Sequence, residues 1–375
     1  TIQAHQQSSK NFKIIEIHKK LPHTIIKNFN LGYDPKLFTS KLLSKYFINN
    51  NLISINQNLI DQIFRFKEKH TKLFYSLDTK IVGESYSSKI SKVVKFLKNI
   101  KADYCFISAP ENVAWLLNIR GYDNPNSPIA NARLILNKKK ELFLIANENN
   151  LRNLLLDKKI KKKQILPINS LPKFLNNLKG KNFIIDNKTC SIFYEKIIKS
   201  KFNILKFDDP VYELKSIKNS SEIKHMIEAH KKDGLALTRF IHWIKNVNKK
   251  KITEVYAQNK LEKFRKLNKD YLFPSFDTIA GAGSNGAIVH YRANKKTTKK
   301  IEQSDILLVD SGGQYHYGTT DVTRTISFSK QNKFIKNAYT NVLKGHIAVA
   351  LTNLNKDDTG KKIDIKARKF LKKEG

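Results

Sequence analysis

Two aspartates eleven positions apart, Asp310 and Asp321, stand in the stretch DILLVDSGGQYHYGTTDVTRTISF (Asp305 to Phe328). A carboxylate set among apolar neighbours is costly unless a charge satisfies it. Two carboxylates brought together repel, and a bound cation relieves both. Taken singly, each Asp reads as a turn cap or the partner of a Lys. A pair converging from adjacent strands favours metal.

The flanking residues predict how the two are held. Ile306 to Val309 is a short apolar run, the pattern of a buried strand, and it ends at Asp310. Val322 to Phe328 alternates β-branched or aromatic residues with polar ones, as a half-buried strand does. Gly312, Gly313 and Gly318 suit a tight reversal between them, so a hairpin with Asp310 and Asp321 near facing positions is expected. Thr323 is a candidate hydroxyl for orienting a carboxylate, with an ordinary strand threonine as the equal alternative.

Upstream, the chain reads as α/β material. Asn11 to Ile17 has strand character, and a helix is expected from Pro35, with Leu37, Phe38, Lys41, Leu42, Lys45 and Tyr46 at three- and four-residue spacing. A linker is expected over Ser76 to Gly83. Beyond it come a helix over Lys89 to Leu97 and strands over Ala102 to Ser108, Ala132 to Leu136, Glu141 to Ala146 and Asn182 to Asp186. Asp208-Asp209-Pro210 breaks this pattern and marks a boundary.

Asn219 with Glu222 forms a capping-box signal for a long helix whose apolar face is Ile223, Met226, Ile227, His230, Leu237, Ile241 and Ile244. Further helices are expected over Lys251 to Leu267 and about Asn337 to Leu351. The expected domains are 1–76, 77–214 and 215–375.

Composition narrows the class. The chain has 375 residues with 40% hydrophobic and 10% aromatic content, enough for two or three globular domains. No run reaches the length of a membrane helix, and TIQAHQQSSK has no signal-peptide pattern, so no membrane association is expected. Cys105 and Cys190 lie in unrelated apolar contexts without zinc spacing, which fits buried thiols and a cytoplasmic location. The net charge of +38 comes from lysines spread along the chain. Its densest runs, such as Lys158 to Lys163, carry no interleaved aromatics, so no specific nucleic-acid partner is expected.

The motif DILLVDSGGQY followed by GTTDVTRT resembles the catalytic domain of aminopeptidase P, the Xaa-Pro aminopeptidases of the pita-bread metallopeptidase family. FPSFDTIAGAGSNGAIVHYRA (Phe273 to Ala293) resembles the segment preceding it in that family. AWLLNIRGYDNPNSP (Ala114 to Pro128) and LGYDP (Leu31 to Pro35) resemble the amino-terminal domains of its long, three-domain members. The resemblance implies an α+β fold: an incomplete pita-bread (creatinase/aminopeptidase-like) catalytic domain after two α/β creatinase-type domains.

By resemblance, Asp310 matches the family's chelating Asp and Asp321 the Asp that bridges two ions. The ions implied are two divalent metals, Mn2+ first, with Zn2+ or Co2+ as alternatives. They would share a hydroxide that attacks the scissile carbonyl. His290, in AIVHY, matches a family histidine that lines the active site and hydrogen-bonds substrate, a catalytic role suited to an imidazole beside a developing oxyanion. His316 reads as a turn residue, and Trp115, Asn118 and Arg120 as a core anchor and its surroundings. The partners implied are peptide substrates with proline in the second position and, for the full-length protein, a second copy in a homodimer.

One departure matters. The family's site takes five protein ligands: two Asp, a His in an HGxGHG-like segment, and two Glu. No HGxGH segment occurs among the 375 residues. The expectation is therefore a piece of a longer Xaa-Pro aminopeptidase, cut at both ends and inactive by itself. Prolidase and a non-catalytic pita-bread binding module are the alternatives within the fold.

Overall fold

Four consecutive apolar residues, Tyr104–Ile107, are what a strand buried on both faces requires, and this run forms the centre of the largest sheet. The computed structural model describes residues 4–5, 8–17, 20–64, 72–354 and 359–374. They fall into two units: Thr1–Arg239 with Leu261–Thr278 and Ser311–Val322, and Phe240–Lys260 with Ile279–Asp310 and Thr323–Gly375.

In the first unit, β1 (Asn30–Tyr33) and β2 (Asn51–Ser54) pair in parallel. Short β3 (Tyr75–Ser76) pairs antiparallel with β5 (Ile119–Arg120). The large sheet holds β4 (Tyr104–Ile107), β6 (Arg133–Asn137), β7 (Leu142–Ile145), β8 (Asn182–Ile185) and β9 (Asn203–Lys206) in the order β7-β6-β4-β8-β9. β8 runs parallel to β4 and β9, whereas β4–β6 and β6–β7 are antiparallel.

The two-residue period of a strand splits β4 between two cores. Cys105 and Ile107 join Val93, Val94, Leu97 and Leu134 on one face, and Tyr104 and Phe106 join Ile135, Phe183 and Ile185 on the other. Each such fully buried side chain contributes roughly 1.5–3 kcal/mol. The helix Tyr86–Asn99 presents Ile90, Val93, Val94 and Leu97 to the first core, and the Ser85 side chain caps its start. Cys105 and Cys190 are free, buried thiols, and burial raises both pKa values.

Also in this unit, β10 (Tyr271–Pro274), β13 (Gly313–Tyr315) and β14 (Gly318–Thr319) form a three-stranded antiparallel sheet. In the second unit β11 (Ile279–Ala282), β12 (Ile306–Ser311) and β15 (Val322–Ser327) are ordered β11-β12-β15, and the helices Lys333–Ala350 and Gly360–Arg368 follow. No helix of the described residues is long and apolar enough to cross a membrane.

Several expectations are corrected. Asn11–Ile17 is not a strand: Phe12, Ile15 and Ile17 are exposed, and among the described residues no strand pairs with them. The helix after Pro35 begins at Ser40, where the Thr39 hydroxyl caps Leu42 N. Ser76–Gly83 is structured, not a linker, because β3 pairs with β5 and the Asp78 carboxylate caps the helix Thr79–Val82. At the expected boundary Asp208-Asp209-Pro210, the Asp209 side chain caps the helix Pro210–Ser216.

The capping box at Asn219 and Glu222 forms as expected, with reciprocal bonds of 3.0 and 2.9 Å opening the helix Ser220–Asn246. Its apolar stripe, however, is buried only towards its second half, at Leu237 and Ile244. Ile223 and Ile227 stay exposed.

The expected tight reversal between Asp310 and Asp321 is a further hairpin, β13–β14, which pairs with β10. Gly312 makes this turn-off feasible. A Cβ there would collide with the Thr320 carbonyl oxygen and the Ser275 hydroxyl.

Candidate functional site

Asp310 is the fifth residue of β12, opposite Ile279 of β11. Along β12, Leu307, Val309 and Ser311 are buried and Ile306, Leu308 and Asp310 are half-buried. The alternation thus sends Asp310 to the more open face. There its Oδ1 accepts a 2.8 Å hydrogen bond from the Thr323 hydroxyl on neighbouring β15, which holds the carboxylate in one orientation and leaves Oδ2 open.

Asp321 is exposed and immediately precedes β15. Neither aspartate makes an ion pair among the described residues, although the chain has 70 Lys and Arg against 32 Asp and Glu. The Lys-partner reading of these carboxylates therefore finds no support in the geometry. Among the described residues no cluster of three or more His, Cys, Asp or Glu side chains could hold a metal ion.

The segment carrying His290 is organised by a carboxylate that the sequence pattern did not single out. Glu254, fully buried, accepts from Ala282 N (2.8 Å) and Asn285 Nδ2 (2.9 Å) at Oε1. At Oε2 it accepts from Lys299 N (2.8 Å) and the Tyr291 hydroxyl (3.0 Å). Four donors on one buried carboxylate are what satisfy its desolvation. Burial and the nearby Glu254 charge push the Tyr291 phenol up to about 12.

His290 sits next to this anchor in an exposed turn, with φ of 59°. That left-handed conformation is uncommon for a residue with a side chain. The Tyr291 anchor on one side and the Gly283–Ala287 turn on the other dictate it. Gly281 permits the packing beneath, since a Cβ there would lie 2.8 Å from Gly286 N.

A second buried network adjoins Ser311, the residue after Asp310. Arg265 donates to both Asp233 oxygens (2.7 and 3.0 Å) and to the Ser311 hydroxyl (3.0 Å), and the Tyr315 hydroxyl donates to Asp233 (2.9 Å). The two charged side chains are 0% and 2% exposed. A sequence signal existed for both. Asp233 falls four residues before Leu237 and Arg265 four after Leu261, so each places a charge within an apolar stripe. His316 is exposed beyond β13, and its backbone N–H donates to the Asp270 carbonyl (3.1 Å).

Comparison with known proteins accounts for both halves of the chain. Residues 67–222 match the creatinase/prolidase N-terminal domain, and residues 224–375 match metallopeptidase family M24. A probable Xaa-Pro aminopeptidase P from Laccaria bicolor is 31% identical over 100% of this chain and 61% of its own length. Xaa-Pro aminopeptidase 1 of Dictyostelium discoideum is 30% identical over 99% of this chain and 63% of its own. The chain thus spans about three fifths of the length of these relatives.

Among solved structures, the X-prolyl aminopeptidase of Caenorhabditis elegans, described as a cytosolic enzyme with a di-nuclear active site, superposes with a TM-score of 0.84. It is 26% identical, over 98% of this chain and 62% of that one. The Xaa-Pro dipeptidase of Bacillus anthracis, at 21% identity and a TM-score of 0.60, shares the fold. Residues 224–375 thus match metallopeptidase family M24, and the chain has that family's pita-bread fold preceded by a creatinase-type domain.

Proposed function

We propose that this chain belongs to a dimetal aminopeptidase that releases the N-terminal residue from peptides with proline in second position. The carrying observation is that Asp310 and Asp321, which match the family's ligand positions by motif resemblance, make no ion pair among the described residues of a lysine-rich chain. Their open carboxylate oxygens fit hard or borderline divalent ions, with Mn2+ as the first choice and Zn2+ or Co2+ as alternatives. When bound, two such ions supply Lewis acidity that polarises the scissile carbonyl and makes water a nucleophile near neutral pH.

The chain's own groups have narrower tasks. Asp310 offers Oδ2 while Thr323 fixes its orientation through Oδ1. Asp321 offers an exposed carboxylate. His290, fixed in its turn by the Tyr291–Glu254 anchor, donates a hydrogen bond to the carbonyl oxygen as charge develops on it. The proposal includes the division 1–76, 77–214 and 215–375, a homodimer and a cytoplasmic setting, the last in keeping with the C. elegans enzyme being described as cytosolic.

By resemblance Asp310 and Asp321 are two of the family's five ligands, and residues 1–375 by themselves are expected to give no turnover. The test uses Ala-Pro-Phe and Ala-Pro. The product of the complete gene is expected to release Ala from the tripeptide in Mn2+ and to leave the dipeptide intact. Cleavage of Ala-Pro would favour prolidase activity. Failure on the tripeptide would refute the reading, and turnover by residues 1–375 alone would refute the division of labour.

A further inference from the structure

The first unit contains a cavity of about 390 Å³ whose lining includes neither Asp310, Asp321 nor His290. That volume lies within the roughly 300–1,000 Å³ of small-molecule sites. Its walls are mainly apolar and aromatic, with Tyr75, Trp115, Ile223 and Met226 among them. The exposed Ile223 and Ile227 border it, which explains why the apolar stripe of the long helix is not covered there.

A buried cation, Lys89, and a half-buried one, Arg120, line this cavity. Lys89, 1% exposed, donates to Asn118 Oδ1 (2.7 Å) and the Trp115 carbonyl (3.1 Å), and its Nζ lies 3.9 Å from the centre of the Trp115 ring. Burial pushes its pKa down to about 8. Arg120 donates from Nη1 alone, to the carbonyls of Ala114 (3.2 Å) and Ile119 (2.9 Å), and burial lowers its pKa as well. Among the described residues neither forms an ion pair, and Nε and Nη2 of Arg120 make no hydrogen bond.

Glu222 also lines the cavity, but its oxygens are taken: Oε1 accepts from Trp115 Nε1 (3.0 Å) and Oε2 from Asn219 N (2.9 Å). One carboxylate against three cationic side chains, Lys89, Arg120 and Lys218, leaves the cavity net positive. Among the described residues, the half-buried Arg120 guanidinium has only the non-bonded Glu222 carboxylate near it to offset its charge. The uncommitted Nε–Nη2 edge is the side of the fork that takes both oxygens of a carboxylate.

We propose that this cavity binds a small organic carboxylate with an aromatic or branched aliphatic body, the carboxylate on Arg120 and the body between Tyr75, Trp115 and Met226. The site is separate from the aspartates and does not depend on metal. Its occupant is recognised by one negative charge and one apolar group.

The chain has two tryptophans, so Trp243→Phe leaves Trp115 as the only indole reporter. Titration of that protein, residues 1–375, with 4-phenylbutyrate is expected to change Trp115 fluorescence saturably. The neutral 4-phenylbutyramide should bind at least about tenfold more weakly, the equivalent of one charge-assisted hydrogen bond. Arg120→Met should lose the preference for the acid. Met226→Phe, which narrows the cavity from its exposed wall without touching either cation, should weaken binding of the acid and keeps the test decisive if the Arg120 variant does not fold. Equal binding of acid and amide, no saturable signal, unchanged binding in Met226→Phe, or displacement by equimolar acetate would each overturn the proposal. The last outcome would assign the anion to the protein's general positive charge.

Discussion

Replacing Asp233 by Asn tests the buried pair beside Ser311. In the native protein Asp233 Oδ1 accepts from Arg265 Nε and the Tyr315 hydroxyl, and Oδ2 accepts from Arg265 Nη2. An amide can present only one oxygen. Whichever way it is turned, its NH2 group meets a guanidinium donor, and Arg265 keeps its charge at 0% exposure. Arg265 Nη1 already lacks a partner, so the site has no spare acceptor to offer. Breaking a buried ion pair from one side costs about 3–5 kcal/mol.

The assay is urea unfolding of residues 1–375 in the Trp243→Phe background, where Trp115 reports on the first unit. The expected loss is about 3–5 kcal/mol. The double variant Asp233→Leu with Arg265→Met, which removes both charges and keeps apolar volume, should recover most of it, because the cost lies in the stranded charge and not in the packing. A loss of less than about 1 kcal/mol for Asp233→Asn, in the range of an exposed pair, would refute the argument that this pair is desolvated and mutually required.

Two further outcomes follow from the same geometry. Thr323→Val, which deletes the hydroxyl on Asp310 Oδ1, should lower the Mn2+ affinity of the complete gene product about 10–100-fold; unchanged affinity by calorimetry would remove Thr323 from any supporting role. Asp209 is 4% exposed, and its pKa is pushed up to about 6, first by burial. Its folded-state value lies above its unfolded one, so the fold binds the proton more tightly, and stability should fall as pH rises from about 4 to about 6, by roughly 3 kcal/mol. Asp209→Asn should flatten that segment of the stability–pH curve, and an unchanged slope would assign it elsewhere.

Several elements of the fold were legible in the sequence alone. Local signals were reliable where the cause is local: the capping box at Asn219 and Glu222 closes on itself within four residues, and the strand ending near Asp310 announces itself by an unbroken apolar run. Expectations failed where a distant partner decides. Asn11–Ile17 has strand-forming residues and no strand pairing with it among the described residues, while Ser76–Gly83 looks like a linker and is ordered by pairing with residues more than forty positions away.

Residue types and spacing by themselves determined the strand bearing Asp310, the strand that begins just after Asp321 and, through resemblance, the family. These depend on side-chain identity and on a two-residue period that any extended chain obeys. Only the tertiary structure decided that the connection between the aspartates is a second hairpin joined to β10, that Glu254 anchors the turn of His290, and that Arg120 reaches a cavity with its fork uncommitted. Burial and partner choice are set by residues far apart in sequence, and a charge reads the same in the sequence whether it ends in water, in a buried pair or facing an apolar cavity.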